Sequence, residues 1–183
     1  MKKMAFGLLA TTVLFSACKK SNDGESNDEE LITTVQLTFT PAGGGAPLNF
    51  FYRDADGPGG EAPTRDEIKL AASTTYNVSI QLMNESTTPV ENITPEIVEE
   101  AEAHRFYYTA SAANLTISNL NNDANGAPVG LTSTWTTTTA AAGTVGVVLR
   151  HYGGTPPDKQ TADPVNSPKS STDVDVTFSY SVL

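Results

Sequence analysis

The sequence predicts a mainly β fold, an antiparallel sandwich of about eight or nine strands with one short α-helix. Apolar side chains recur at every second position in several stretches, which is the period of a half-buried strand. Clusters of Asp, Asn, Gly and Pro separate these stretches, as turns between strands require. Only one segment, near residues 94–104, carries helix-start signals. Together these observations favour two packed β-sheets.

The N-terminal half of the body supplies four predicted strands. Apolar and polar residues alternate from Val35 to Phe39, and the glycines at 43–45 end this strand. Residues 48–53 (LNFFYR) are predicted to return beside it as a hairpin partner. Residues 68–70 mark a short third strand. Residues 75–84 have Tyr, Val, Ile and Leu at alternate positions and form the most regular strand of this half.

One predicted helix, over about residues 94–104, interrupts the strands. Thr94 can cap the first free amides, and Pro95 suits the first helical position, where no donor is needed. The glutamates of the first turn favour the positive end of the helix dipole. A step of about 100° per residue places Ile97 and His104 on one face. This face is expected to cover one edge or end of a sheet.

The C-terminal half supplies the remaining strands. Residues 145–151 are nearly continuous in Val and Leu, which is typical of a central strand covered on both faces. Residues 174–182 alternate to the end of the chain, so they should be tied into a sheet, and residues 153–172 are predicted to be a loop. Further strands are expected at residues 106–110, 114–119 and 131–139. So many short strands indicate an Ig-like sandwich, with a calyx-like barrel as the alternative.

The first 18 residues, MKKMAFGLLATTVLFSAC, predict where the protein is located. Two lysines precede an uncharged run, and small residues lead to Cys18. That run, about a dozen residues, is shorter than the roughly 20 residues that a spanning helix needs. Residues 1–17 are therefore predicted to be a cleaved secretory signal rather than a transmembrane anchor.

The end of this segment resembles the lipobox of bacterial lipoproteins, in which the cysteine becomes the mature N-terminus and carries acyl chains such as palmitate. Phe15 stands where that family usually has Leu. The resemblance implies lipid attachment at Cys18 and an outer membrane lipoprotein, on the periplasmic face or at the cell surface. Residues 18–30 are predicted to be a disordered acidic tether, and residues 31–183 one β-sandwich domain.

Segments of the body also resemble small Bacteroidota-type envelope lipoproteins. The similar segments are LTFTP, FFYRDADG, TTYNVSIQLMNE, ITPEIVEEAEAHRFYY and VVLRHY. The resemblance covers most of the mature chain. It implies localisation and architecture, and it brings no activity with it.

Charge and cysteine content restrict the partners. The chain has 11 basic and 21 acidic residues. Loss of Lys2 and Lys3 with the signal leaves nine basic residues and a net charge of −12. Such a charge repels nucleic acid, so the expected partners are the membrane, through the acyl chains, and an envelope protein. Because Cys18 is the only cysteine, the domain is predicted to have no internal disulfide or thiolate metal cluster.

Two acidic turns are candidate calcium sites. Asp54 and Asp56 precede a glycine in one, and Asp123 and Asn125 precede a glycine in the other. Oxygen ligands at every second residue can converge on Ca²⁺. Neither loop has the carboxylate that an EF-hand needs at its twelfth position. Asp, Asn and Gly also serve ordinary β-turns without a metal, so turn formation is the alternative.

The two histidines suggest a second kind of metal site. Glu100 and His104 are four residues apart, and with His151 they could bind Zn²⁺, Cu²⁺ or Fe, because these ions favour imidazole nitrogen. The alternative is that His104 is a buried, hydrogen-bonded residue and His151 simply ends a strand. The distance between the two histidines decides between these interpretations.

Aromatic residues are the third candidate site. Tyr107, Tyr108 and Trp135 could stack on a sugar ring or another flat ligand if they are exposed at strand ends. The alternative is that they belong to the core.

The function predicted from these features is a non-enzymatic cell-envelope lipoprotein that binds a ligand or a partner, as an accessory to nutrient or metal uptake or to a surface assembly. The sequence has no G-x-S-x-G, H-E-x-x-H or phosphate-binding glycine loop. A purely structural or adhesive β-domain is the alternative. A hydrolase would require two carboxylates that converge in an open cleft.

Overall fold

The computed structural model describes residues 31–57 and 59–183, which fold into a mainly β sandwich with one short helix. The predicted signal peptide, Cys18 and the tether lie outside the described residues. The elements in chain order are β1 (Thr34–Pro41), β2 (Leu48–Arg53), β3 (Thr64–Arg65), β4 (Ile68–Leu70), β5 (Thr75–Asn84), β6 (Glu91–Asn92), α1 (Thr94–Glu99), β7 (His104–Ala110), β8 (Leu115–Ser118), β9 (Thr132–Thr137), β10 (Ala141–Tyr152) and β11 (Ser170–Val182).

The strands form two sheets. The large sheet has the order β3-β2-β1-β5-β9-β8, with β6 added to β5, and the small sheet has the order β4-β11-β10-β7. All pairs are antiparallel except β11 with β4, which is parallel. The sandwich prediction is confirmed, and the predicted hairpin between the first two strands is present as β1 and β2.

The two sheets are held together by one apolar core. Alternate residues of β1, β5, β10 and β11 point into it, as the period-two pattern predicts. Phe39 and Trp135 are fully buried, and their rings meet edge to face at 5.1 Å. Tyr52 of the large sheet and Phe178 of the small sheet also form an edge contact, at 6.5 Å. Burial of this apolar surface is the main stabilising term of the fold.

The helix is shorter than the sequence predicts. It ends at Glu99, and residues 100–103 form a turn that leads directly into β7 at His104. Thr94 does not cap the helix. Its hydroxyl instead accepts a hydrogen bond from the Leu82 amide of β5. The segment has acceptable helix propensity throughout, but pairing of β7 with β10 from His104 onward overrides it.

Two further expectations change in detail. β10 lies in the interior of the small sheet as predicted, but over residues 145–151 only Val145, Val147 and Leu149 are buried, so this stretch is not covered fully on both faces. Tyr152 is also buried, outside the main core cluster. The loop predicted over residues 153–172 is present between β10 and β11 but is shorter, because β11 begins at Ser170, and part of it is held by β7. Arg105 of β7 donates hydrogen bonds to the carbonyls of Gln160, Thr161 and Asp163 in this loop.

Candidate metal centre

The two histidines of the chain lie side by side at one end of the small sheet. His104 is the first residue of β7, and His151 is the penultimate residue of β10. The antiparallel register places them directly opposite each other, and opposite residues project from the same face of a sheet. The ring centroids are 4.4 Å apart and the ring planes are inclined by 41°. The structure therefore joins the two predicted histidine ligands.

Glu100 completes the predicted group from the end of the helix. The turn after α1 places its carboxylate Oε2 3.9 Å from His104 Nδ1. Glu100, His104 and His151 offer one ligand atom each within 4.8 Å of one another. They form the one such cluster of three or more His, Cys, Asp or Glu residues among the residues that the structure describes. The three predicted transition-metal ligands thus converge.

A second carboxylate, which the sequence did not indicate, lies on the other side of His104. Asp173 Oδ2 is 3.8 Å from His104 Nε2, and the Asp173 side chain is only 7% exposed. A β-bulge explains its position. Leu149 pairs with Val174 and Arg150 pairs with Thr172, so Asp173 is the extra residue of β11. Bulges re-aim side chains in this way and are frequent beside functional sites.

His104 is held in the neutral form. The pKa of His104 is lowered from 6.5 to about 4, mainly by burial and also by the neighbouring His151 and Lys159, while the hydrogen bond with the Glu100 carbonyl opposes the shift. A neutral imidazole is the form that binds a metal ion.

A buried ion pair lies next to the backbone of His104. Lys159 Nζ lies 2.8 Å from Asp123 Oδ2, and both side chains are 1% exposed. The same ammonium donates to the backbone carbonyls of His104, at 2.8 Å, and Ala101. Burial lowers the pKa of Lys159, and the hydrogen bond to Asp123 opposes that shift. The Lys159 ammonium thus binds the Asp123 carboxylate and two backbone carbonyls, and these contacts hold the backbone at residues 101–104 in place.

The arrangement suits a transition-metal ion. Ligands about 2.1 Å from a tetrahedral Zn²⁺ lie about 3.4 Å from one another, which is slightly less than the separation of 3.9 Å between Glu100 Oε2 and His104 Nδ1. The Glu100 side chain is 58% exposed and can rotate to close this gap. Two imidazoles with a carboxylate are ligands that Zn²⁺, Cu²⁺ and Fe accept.

The carboxylates of two of the four candidate calcium ligands, Asp56 and Asp123, make turn or ion-pair contacts in the structure. Asp123 Oδ1 accepts hydrogen bonds from the amides of Asn125 and Ala127, and Oδ2 is held by Lys159. Asp56 Oδ2 accepts a hydrogen bond from the Glu61 amide, and the Asp54 carbonyl closes a turn to Gly57. These contacts are the turn chemistry that the sequence offers as the alternative to calcium. The Asp123 carboxylate is engaged by Lys159 and by two amides of its own loop.

The three candidate aromatic ligands are engaged by the protein. Trp135 is fully buried and its indole N–H donates to Ser133. The Tyr108 hydroxyl donates to the Gly130 carbonyl, and burial raises its pKa. The Tyr107 hydroxyl shares a 2.6 Å hydrogen bond with Tyr152 and donates to the Asp163 carbonyl. Trp135 lies in the core, Tyr108 packs against it, and Tyr107 is half-buried, and stacking of a ligand on these residues stays a prediction.

The chain was compared with protein-family models, with curated proteins and with solved structures, and none of the three comparisons finds a match. Within residues 31–57 and 59–183, no helix has the length and apolar character needed to cross a membrane.

Loss of the buried ammonium is expected to destabilise the fold. Lys159→Met leaves the Asp123 carboxylate buried without its countercharge and should lower the free energy of unfolding by about 3–5 kcal/mol. Urea denaturation followed by circular dichroism measures this change. The control is Lys69→Met, because Lys69 is 60% exposed in its ion pair with Glu67 and should matter little. Equal effects of the two substitutions would contradict the role given to Lys159.

The lowered pKa of His104 predicts a specific dependence of stability on pH. Unfolded histidine takes up its proton near pH 6.5, whereas folded His104 does so near pH 4. Between these pH values the unfolded state binds more protons than the folded state does. The contribution of His104 to the free energy of unfolding is therefore fully present above about pH 6.5 and is lost as the pH falls towards 4. The expected loss is about 3 kcal/mol, at about 1.4 kcal/mol per pKa unit.

Urea denaturation at about pH 7.5 and about pH 4.5 measures this loss, and His104→Gln is the matched variant. The other groups that face His104 are Glu100, His151, Lys159 and Asp173, and they remain in both proteins. The difference in stability between the two pH values should therefore shrink in the variant. An identical difference in both proteins would show that His104 does not cause it.

Proposed function

We propose that this chain is a non-enzymatic lipoprotein of the cell envelope whose β-sandwich binds one transition-metal ion through Glu100, His104 and His151. The ion is Zn²⁺ or Cu²⁺, and the role is accessory to metal uptake or to a metal-dependent surface assembly. The observation that carries the proposal is the cross-strand pair of imidazoles, 4.4 Å apart between ring centroids, with a carboxylate beside it. The function of the domain is thus to capture the ion, without chemistry on a substrate.

Three features of Glu100 and His104 favour the binding of a metal ion. His104 is neutral, so no proton has to leave before a metal binds at neutral pH. The backbone of His104 is fixed by pairing with β10 and by Lys159, so little ordering is needed on binding. Glu100 is exposed, which provides a route for the ion from solvent. The acidic net charge of the chain attracts cations to this route.

The anchoring part of the proposal is supported by the sequence. A basic start, a short apolar run and small residues before Cys18 are the features of a lipoprotein signal. An acylated Cys18 with a polar tether would hold the metal-binding domain close to the membrane while leaving it in solution. A protein so placed can pass an ion to a partner in the same membrane.

Metal binding is tested with the mature lipoprotein purified in detergent and titrated calorimetrically with Zn²⁺, Cu²⁺ and Ca²⁺. The expected result is one Zn²⁺ or Cu²⁺ per chain, a higher melting temperature with the ion, and no comparable effect of Ca²⁺. His151→Gln should weaken binding by more than about tenfold, because it removes a ligand that is not needed for the core.

The matched control for this titration is Glu99→Gln, which removes a neighbouring exposed charge outside the cluster. It should leave metal affinity unchanged. Absence of stoichiometric binding by the wild type, or equal affinity in the wild type and His151→Gln, would contradict the proposal.

The anchor is tested by Cys18→Ser in cells that process lipoproteins. The expected result is loss of incorporated palmitate and release of the protein from the membrane fraction, because serine offers no thiol for acylation. Ser16→Ala, which keeps a small residue before the cysteine, is the control and should remain acylated. Unchanged processing and membrane association of Cys18→Ser would refute the proposed anchor.

A further inference from the structure

Three exposed apolar side chains belong to chain segments that meet at the end of β5. Leu31, Val90 and Val98 are 50%, 55% and 56% exposed. They account for three of the six exposed large apolar side chains among the residues that the structure describes. A single exposed apolar residue is ordinary on a protein surface, whereas a group of them at one place is typical of an interaction surface.

Backbone contacts hold these three segments against the last three residues of β5. The contacts are made by residues within five positions of each exposed side chain. Two of them are hydrogen bonds of 3.0 Å, and the third is a strand pair. The contacts are Thr33 N–H to the Met83 carbonyl, the pairing of Glu91 with Asn84, and Ile93 N–H to the Leu82 carbonyl.

The same segments carry negative charge. Residues 84–104 contain six glutamates and neither lysine nor arginine. Glu85 is paired with Arg53 at 3.3 Å. The other five glutamates are exposed, and they are Glu91, Glu96, Glu99, Glu100 and Glu102. We refer to these five glutamates together with Leu31, Val90 and Val98 as the β5-end surface.

The β5-end surface lies at the end of the sandwich that the proposed lipid anchor reaches first. Leu31 follows Cys18 by 13 residues, which span at most about 45 Å when fully extended. The opposite end of β5, at Thr75, is about 30 Å further along the strand. An acylated Cys18 would therefore keep the β5-end surface close to the membrane.

We infer that the β5-end surface docks on an integral protein of the same membrane, at an apolar depression bordered by lysine and arginine side chains. The inference rests on the anchor in the proposed function and adds the partner and the surface that binds it. Glu100 belongs both to this surface and to the cluster with His104 and His151. The partner would thus lie next to the proposed metal site.

The charge of the β5-end surface favours a basic protein over the other possible occupants. A second copy of the chain would bring the same glutamates together, and the anionic headgroups of a membrane would also repel them. Lysine and arginine around an apolar depression match this surface in charge and in polarity. A partner in the same membrane would also lie within reach of the chain between Cys18 and Leu31.

The test is site-specific cross-linking of the full-length lipoprotein in its native cells. Acylation uses the Cys18 thiol, and the chain has no other cysteine, so Val98→Cys introduces one free thiol. Isolated envelopes are labelled with maleimide-benzophenone and irradiated, and the products are identified by mass spectrometry. The expected product joins Val98→Cys to one integral membrane protein, at a peptide that contains lysine or arginine.

The matched control for position is Leu183→Cys. Leu183 is 72% exposed, and its amide donates to the Leu70 carbonyl, near the opposite end of β5. It should not cross-link to the same protein. Charge is tested in the Val98→Cys protein by Glu96→Lys with Glu99→Lys, which should reduce the yield of the product more than about tenfold. Glu67→Lys reverses an exposed charge outside the β5-end surface and should leave the yield unchanged.

Four results would overturn the inference and leave the anchor and metal binding in place. They are a product with lipid, a product with a second copy of the chain, an equal product from Leu183→Cys, and no product from Val98→Cys. An unchanged yield after the two glutamate reversals would overturn the assignment of a basic partner. Absence of palmitate on the wild type would overturn the proposed anchor and the inference together.

Discussion

The buried ion pair between Lys159 and Asp123 is the constraint on which the candidate site depends. It joins the loop between β10 and β11 to the loop between β8 and β9, and the same ammonium binds the carbonyls of Ala101 and His104. A buried charge pair gives little net stability compared with apolar packing, but removal of one partner is costly. Such a pair therefore serves to fix one arrangement of chain segments. Here it fixes the turn through which the helix passes into β7, and this turn places Glu100 beside His104.

The candidate metal centre is built from regular β geometry with two local departures. Antiparallel pairing of β7 with β10 sets the two imidazoles opposite each other. The early end of α1 releases Glu100 from the helix, and the bulge in β11 directs Asp173 towards the ring. Each departure occurs next to His104, and each brings a carboxylate close to its ring. Departures from ideal geometry that gather at one place indicate a functional site more strongly than any single residue does.

An anchored domain with a single metal site fits the other properties of the chain. A groove of about 370 Å³ on the outer face of the large sheet is lined mostly by hydroxyl and amide side chains, such as those of Thr40, Asn77, Ser79 and Thr134. This part of the face is polar and without charged side chains. The proposed ligands are gathered at one end of the other sheet. The sandwich thus separates its solvated face from the site at which the ion is proposed to bind.

The β class, most strand positions and the three clustered candidate ligands could be predicted from the sequence, because they follow from period-two patterning and from the scarcity of histidine in this chain. The end of the helix depends on tertiary contacts, since strand pairing with β10 outweighs the local helix propensity of residues 100–104. The buried positions of Asp173 and Lys159 depend on such contacts too. Alternation from Val174 backwards predicts that Asp173 faces solvent, and nothing in the local sequence marks the bulge that turns it inwards. A pairing irregularity and a buried charge depend on contacts between distant segments, and a pattern within one segment does not contain them.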